Sequence, residues 1–539
     1  MLVSMLLAGC FDTDKGPAPP PNSFYYPTGL TASPAGHALY VANSDFDLQY
    51  SAGTIQALDL DRLRAKVSKL LVDASGETAV DEMGRALLDG SGQPRKVLKV
   101  NCARVEGLEP NSKRPNDAIL YPGPCTPIDL EPAGEPSFIR NVVEIGAFAT
   151  NIRFLRQPPA LGSSGADSAR PARLMLPVRG DPSLTWIDVD DDTGGAAQSF
   201  KLDCGQGGSK RCSDAHRSGI DPATNTRDLT LPPEPFDLAV SDRGDVMVMT
   251  HQTSGAVSLL QNGWSGDEKP TPTACSTGVT QPTLQFVYSG LPTQVSGVVA
   301  LPTPRRVLLG NSDDGTARAY APGFLVGYRD AARLDVLRYI DDCKSQPRRP
   351  YLAASGGGTG IALTAGGIDS RSIAVDASEM RACEASCGDA DLACLDVCVG
   401  VPMGLYVASR TPSSLLGGTL QDESASLSEL IPLPQGASRV EVGQVTDRQG
   451  KRQTRVFVLS FDEKQVTVYN PATQTVEKQM PTGRGPSALT FDTAEGASFG
   501  YLAYFTDSYL SVIDLDMRHS TYLTLIANVG RPQAPRESQ

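Results

Sequence analysis

Short runs of alternating apolar residues open this chain and return at its end. Near the start, Pro27-Thr28-Gly29-Leu30 leads into Ala38-Leu39-Tyr40-Val41-Ala42-Asn43 and then Gly53-Thr54-Ile55-Gln56-Ala57-Leu58-Asp59-Leu60. Near the end, Gly485-Pro486-Ser487-Ala488-Leu489 leads into Tyr501-Leu502-Ala503-Tyr504-Phe505 and then Leu510-Ser511-Val512-Ile513-Asp514-Leu515. The runs are rich in β-branched and aromatic residues and are punctuated by Gly, Pro and Asp, as half-buried strands joined by tight turns should be. A recurring module of this kind predicts a closed, radially repeated all-β architecture in which each unit buries its faces against its neighbours. Seven passes are expected: Phe24 to about Asn101, about Asn141 to Leu202, Pro235 to Tyr288, Gly290 to Ile340, Tyr351 to Ile431, Gly436 to Met480, and Gly485 to Ala527. The third, sixth and seventh are plain, whereas the second, fourth and fifth are degenerate. Polar insertions are expected at about 64–134, 205–232 and 377–400, inside a repeat region of 24–532 with a tail at 533–539.

The chain's 539 residues carry a formal net charge of −13, which argues against nucleic acid and against electrostatic docking on an anionic membrane. No stretch of about 20 apolar residues is present to span a bilayer. The first residues, Met1-Leu2-Val3-Ser4-Met5-Leu6-Leu7-Ala8-Gly9-Cys10, form an apolar run ending in small residues and a cysteine. Leu7-Ala8-Gly9-Cys10 resembles the bacterial lipobox, which implies a signal peptide at 1–9, diacylation of Cys10 and a mature N-terminus there. The run lacks a basic leader and is short, which points to a start upstream of Met1. Residues 10–23 are polar and hold Ala18-Pro19-Pro20-Pro21, the composition of an extended tether. Phe11, rather than Asp, follows the cysteine, which under the common sorting rule implies outer-membrane placement.

Setting Cys10 aside, ten of the 11 cysteines remain, an even number that an exported protein would oxidise. Cys383-x3-Cys387-x6-Cys394-x3-Cys398 puts each i, i+4 pair on one helix face and predicts a hairpin stapled as Cys383–Cys398 and Cys387–Cys394. The rival, a zinc site, would prefer Cys-x2-Cys on a turn, and no His lies nearby. Proximity pairs Cys102 with Cys125 and Cys204 with Cys212, and exclusion leaves Cys275 with Cys343.

Leu39-Tyr40-Val41-Ala42-Asn43, Leu405-Tyr406-Val407-Ala408-Ser409, the Ile513-Asp514-Leu515 ending and Pro481-Thr482-Gly483 resemble the YVTN family of seven-bladed β-propellers. The resemblance implies four-stranded blades around a channel. It also implies binding at the funnel mouth, where the turns between second and third strands meet the blade-to-blade loops. Members are mostly structural or interaction proteins, with some lactonases and cofactor-bearing oxidoreductases among relatives, so the fold alone leaves the activity open.

Asp45, Asp181, Asp313, Asp462 and Asp507 fall at or near the expected second-to-third-strand turns. There they could converge on Ca²⁺ or a cationic ligand, or simply cap their own turns. His251 is the one histidine expected to face that rim. Asp188-x-Asp190-x-Asp192-x-Gly194 resembles the start of a calcium loop, but its Gly comes one residue late and Ser199 stands where a closing Glu belongs, so a solvated acidic turn is the better reading. Gly356-Gly357-Gly358-Thr359-Gly360 lacks the Lys of a phosphate cradle, and no nucleophile elbow or His-Glu-x-x-His motif occurs. The sequence therefore predicts an exported, lipid-anchored propeller that binds a protein or glycan ligand, or scaffolds the bacterial envelope, without catalysis. The alternatives are a lactonase-like metal-dependent hydrolase in the funnel and a self-associating structural envelope protein.

Overall fold

Seven antiparallel sheets follow one another along the chain in the computed structural model. It describes residues 16–531 apart from 82, 90, 115–120, 158–168, 194–198, 265–279, 309–320, 342–348, 356–359, 364–366, 389–390 and 422–423. Each sheet is built on a four-stranded meander, the topology of a seven-bladed β-propeller, and in blades two and four a short fifth strand also pairs with the third. Its innermost strands are Pro27–Ala32, Arg153–Arg156, Pro235–Val240, Val295–Ala300, Ile368–Asp376, Ala437–Thr446 and Pro486–Phe491. The second and third strands are the most apolar, and in blades one, three and seven every residue of both is buried. Sandwiched between neighbouring blades, they have no solvated face to alternate with.

Two boundaries differ from the sequence reading. Ile139–Ile145 is the outermost strand of blade one, paired with Gly53–Asp59, and does not open blade two. Tyr351–Ala354 likewise closes blade four by pairing with Arg333–Ile340, and blade five opens at Ile368. In both places a long connection separates the outermost strand from its partner or from the next blade, so sequence proximity groups it with the wrong sheet.

Among the described residues each blade takes its strands in chain order, with the hairpin Leu71–Thr78 and Lys96–Val100 intervening in blade one, and no strand is exchanged between the first and last blades to lock the ring. An insertion between the third and outermost strands of blade one does this instead. Its helix Leu60–Leu70 starts on Asp59, whose carboxylate accepts from the Arg62 amide, and buries Leu60, Leu63, Val67 and Leu70. These side chains share one core with Leu39 and Leu58 of blade one and with Tyr501, Val512 and Ile526 of blade seven. Arg64 donates through Nε and Nη2 to Asp492 of blade seven, at 3.0 Å each. Farther on, the Ile128 amide donates to Asn528 O (2.8 Å) and Gly530 N donates to Ile128 O (2.9 Å), adding a parallel rung to the outer edge of blade seven. The Cys102–Cys125 disulfide ties this returning segment to the end of the helix.

The cysteine hairpin consists of helices Ser378–Ser386 and Leu392–Val399 joined by Cys383–Cys398 and Cys387–Cys394, the pairing its spacing predicts. It connects the first and second strands of blade five, on the face opposite the second-to-third-strand turns. Arg381 anchors it to Asp242 (3.0 Å) and to Thr303 O (3.1 Å). A fourth disulfide joins Cys204 to Cys212. Cys10, Cys275 and Cys343 lie outside the described residues. No helix among the described residues is long and apolar enough to cross a membrane.

Candidate functional site: the mouth of the central channel

The chain enters each blade through one residue in the left-handed region: Tyr26, Phe148, Glu234, Gln294, Asp369, Gly436 and Gly485, with φ from 46° to 83°. Glycine suits the last two, because a side chain on Gly436 would run into Asp462 and one on Gly485 into Thr506 and the Phe461 ring. Elsewhere the conformation costs roughly 1–2 kcal/mol per residue, held by the packed ring around it. Six of the seven innermost strands then carry a β-bulge within their first residues, which re-aims side chains into the channel.

Two residues after each left-handed turn stand Thr28, Thr150, Phe236, Ser296, Arg371, Ser438 and Ser487. Four of the five hydroxyls reach the entry of the next blade. Thr28 donates to Ala149 O (2.8 Å), Ser487 to Pro27 O (2.7 Å), Thr150 to Phe236 O, and Ser296 to Ser370 O. A belt of hydroxyl-to-carbonyl bonds thus links adjacent blades, including the seventh to the first. Phe236 and Arg371 depart from it.

Within the belt lies a cavity of about 210 Å³. Its charged lining is Arg153, Arg371 and Arg439 against Asp237 and Glu441, a net positive site in a chain of net charge −13. Arg439 is part of this lining. It pairs with Glu441 (2.6 Å) and reaches across the channel from blade six to donate to Asn151 Oδ1 of blade two (3.1 Å). Burial pulls the basicity of its guanidinium down, but Glu441 and Asp237 more than offset this and hold it charged. Asp237 accepts from Asn151 Nδ2 (2.7 Å) and the Val298 amide (3.3 Å), with Arg153 at 4.0 Å. Arg371 shares the single carboxylate of Asp369 with Arg329, at 2.6 and 3.3 Å.

Aromatic rings continue from the cavity around one side of the rim. Phe461 lines the cavity and lies 6.1 Å from Phe505. Phe505 lies 5.1 Å from Phe46 and 5.0 Å from Tyr26, and Phe46 lies 5.9 Å from Phe148. Phe46 is 52% exposed.

The sequence-predicted aspartates do not converge. Asp181 pairs with Arg217 (3.0 Å), Asp462 with Arg410 (2.6 Å) and Asp507 with Arg484 (2.8 Å). Each sits in its own turn beside its own arginine, and no three His, Cys, Asp or Glu residues among the described residues are grouped to hold a metal ion. Asp313 does not belong to this turn. The second-to-third-strand turn of blade four falls between Gly323–Tyr328 and Arg333–Ile340 and carries Asp330, whereas Asp313 belongs to the preceding connection and lies outside the described residues. His251 does not face the rim either. It is fully buried, with Nδ1 3.1 Å from Pro233 O and Nε2 2.7 Å from Ser258 Oγ, and burial pushes its pKa down to about 4, so it is a neutral core residue. The acidic run is likewise committed to the fold. Asp188 pairs with Arg173, Asp190 accepts from the Ser199 and Lys201 amides, and Asp192 accepts from the Ala35 and His37 amides of blade one.

Asp45 stands apart. It is fully buried in a left-handed turn, its Oδ1 accepts from the Tyr50 amide (3.1 Å), and its Oδ2 has no partner among the described residues. Burial pushes its pKa up to about 7. The folded state therefore binds the extra proton between about pH 4 and pH 7, and stability falls as pH rises through that window. Asp45→Asn is expected to stabilise the protein at pH 8 by about 1–3 kcal/mol and to flatten this slope, as read by urea unfolding at pH 5 and pH 8. An unchanged slope would show that Asp45 ionises normally.

No family model and no curated protein matches the chain. Among solved structures, it is similar to a putative 6-phosphogluconolactonase from Bacteroides fragilis, with 10% identity, 86% of each chain covered and a TM-score of 0.37. It is also similar to the dihydro-heme d1 dehydrogenase NirN in complex with DHE, with 13% identity over 67% of this chain and a TM-score of 0.34. The chain spans about half of that protein, 54%. Kuenenia stuttgartiensis hydrazine synthase is similar at 11% identity, 91% and 96% coverage and a TM-score of 0.30. The blade count of this chain rests on its own sheet order.

Proposed function

We propose that this chain is an exported, lipid-anchored propeller that acts without catalysis, as a binding or scaffold protein of the bacterial envelope, and takes its ligand at the channel mouth. The observation that carries this reading is the cavity itself. Its lining is net positive, Phe236 and Phe461 contribute aromatic rings to it, and each of its guanidiniums faces a carboxylate. That is recognition chemistry on a rigid ring. The hydrolase alternative asks for converging carboxylates, and the turns instead give each aspartate its own arginine or amide. Four disulfides and the Leu-Ala-Gly-Cys10 run support export and anchoring.

Two measurements test the reading. Intact mass of the protein taken from its native envelope in detergent should begin at a triacylated Cys10, and an unmodified N-terminus would remove the anchor. Ser438 lines the cavity. Ser438→Trp should fill the mouth and abolish retention of a soluble ligand found by screening glycans, peptides and small acids. Retention unchanged in the folded variant would move the binding site elsewhere.

A further inference from the structure

Arg371 occupies a belt position that five of the other six blades give to a small hydroxyl and blade three gives to Phe236, and among the described residues it contributes no bond to the next blade there. The neighbouring Ser372 reaches across instead, toward Val440 O (3.5 Å). Structural closure therefore does not explain an arginine at this position. Its Nη2 donates to Asp369 Oδ2 (2.9 Å), and Nε lies 2.6 Å from Asp369 Oδ1 without hydrogen-bond geometry. Nη1 has no acceptor among the described residues. Asp369 is already shared with Arg329, so two guanidiniums face one carboxylate. Burial lowers the basicity of Arg371; Asp369 raises it, and repulsion from Arg329 and Arg410 lowers it further. One negative charge is missing from this corner of the cavity.

The same cavity has an apolar wall. Phe461 lines it together with Arg371, and the ring series Phe461, Phe505, Phe46 and Phe148 leads from it to the exposed rim. Four of the five rim aromatics are phenylalanine, which offers a hydrocarbon face and no polar handle. The cavity, about 210 Å³, has room for the polar end of a small ligand whose remainder rests on the rim.

We propose that the channel mouth binds a monocarboxylate carried on an apolar body, with the carboxylate on Arg371 and the apolar body against the phenylalanine wall. This rests on the binding reading above. A guanidinium with a free edge matches a carboxylate in a bidentate fork, which fixes orientation as well as affinity. The carboxylate supplies the missing charge, and the phenylalanines supply apolar area that a wholly hydrophilic anion could not use. A free aromatic or aliphatic acid and the C-terminus of a peptide ending in an apolar residue share this chemistry.

Calorimetry with four probes tests the proposal: 3-phenylpropionate, its neutral analogue 3-phenylpropan-1-ol, a short peptide ending in free Phe, and the same peptide amidated. Both acids should bind at least about tenfold more tightly than their neutral partners. Arg371→Gln should weaken the acids by about tenfold or more and leave the neutral probes unchanged, with Arg371→Lys intermediate. Phe46→Ser should weaken acid and neutral probes alike. Tighter binding of the peptide acid assigns the ligand to a chain end, and tighter binding of 3-phenylpropionate assigns it to a free acid. Equal affinity for acid and alcohol, indifference of folded Arg371→Gln, or no binding of either acid overturns the proposal. If another ligand still binds and is lost in Ser438→Trp, the binding reading stands and only the ligand class falls. If filling the mouth affects no ligand, both fall.

Discussion

Replacing Arg64 by alanine is expected to lower the unfolding free energy by about 3–5 kcal/mol. The carboxylate it serves, on Asp492, has no exposed side-chain surface and accepts from Arg64 Nε, Arg64 Nη2, Tyr501 Oη (2.7 Å) and the Ala494 amide (3.0 Å). Removing the guanidinium leaves a buried charge with neutral partners alone. It also opens the joint between the first and last blades, because Arg64 Nη2 holds Gly36 O of blade one (2.6 Å) as well as Asp492 of blade seven. Asp492→Asn combined with Arg64→Ala should recover part of the loss, since the uncompensated charge is then gone. Urea unfolding of the single and double variants checks this. A loss below about 1 kcal/mol for Arg64→Ala would mean that the insertion is not what closes the ring.

Arg173→Ala is expected to cost a similar 3–5 kcal/mol or so and to change the intrinsic fluorescence of the folded state. The only two tryptophans of the chain lie against this guanidinium, Trp186 at 4.7 Å and Trp264 at 5.3 Å. Its Nη1 donates to Asn262 Oδ1 (2.7 Å) and Gly263 O (2.6 Å), its Nη2 to Thr280 O (3.3 Å), and its Nε to Asp188 (2.8 Å). His216 stacks on the far face of the column at 3.7 Å from Trp186. Blades two and three meet here, and alanine leaves buried oxygens without donors and both indoles without their cation. Unfolding followed by fluorescence and by circular dichroism measures both consequences. An unchanged emission spectrum in the folded variant would contradict the packing of the column.

The seven-bladed architecture was legible because the second and third strands of most blades are written in apolar and β-branched residues whatever the insertions around them. Outermost strands were harder to assign. Thr475–Pro481 is almost wholly exposed and Ser424–Pro432 alternates between exposed and half-buried, so neither has a strong apolar signature. Tyr351–Ala354 and Ile139–Ile145 are misplaced by sequence proximity, because long connections separate them from their own sheet or from the next blade. At the site, turn aspartates could be placed by sequence in four of five cases, but their arginine partners could not. Arg217 reaches Asp181 from 36 residues away, and Arg410 reaches Asp462 across a blade boundary. The channel belt did leave a trace, in the near-identical Pro27-Thr28-Gly29-Leu30 and Pro486-Ser487-Ala488-Leu489. Aligned on its hydroxyl, that motif locates Phe236 and Arg371 as the two substituted positions. Only the closed ring shows that Arg371 and Phe461, 90 positions apart in the sequence, line one cavity.

The most direct test of the channel mouth as the binding site is amide hydrogen exchange of the folded protein with and without 3-phenylpropionate. Protection should concentrate in the blade-five and blade-six entries, residues 368–373 and 436–441, and in the rim turns around Phe46 and Phe461. Protection confined to the cysteine hairpin at 378–399, or no protection at a saturating concentration, would contradict the account.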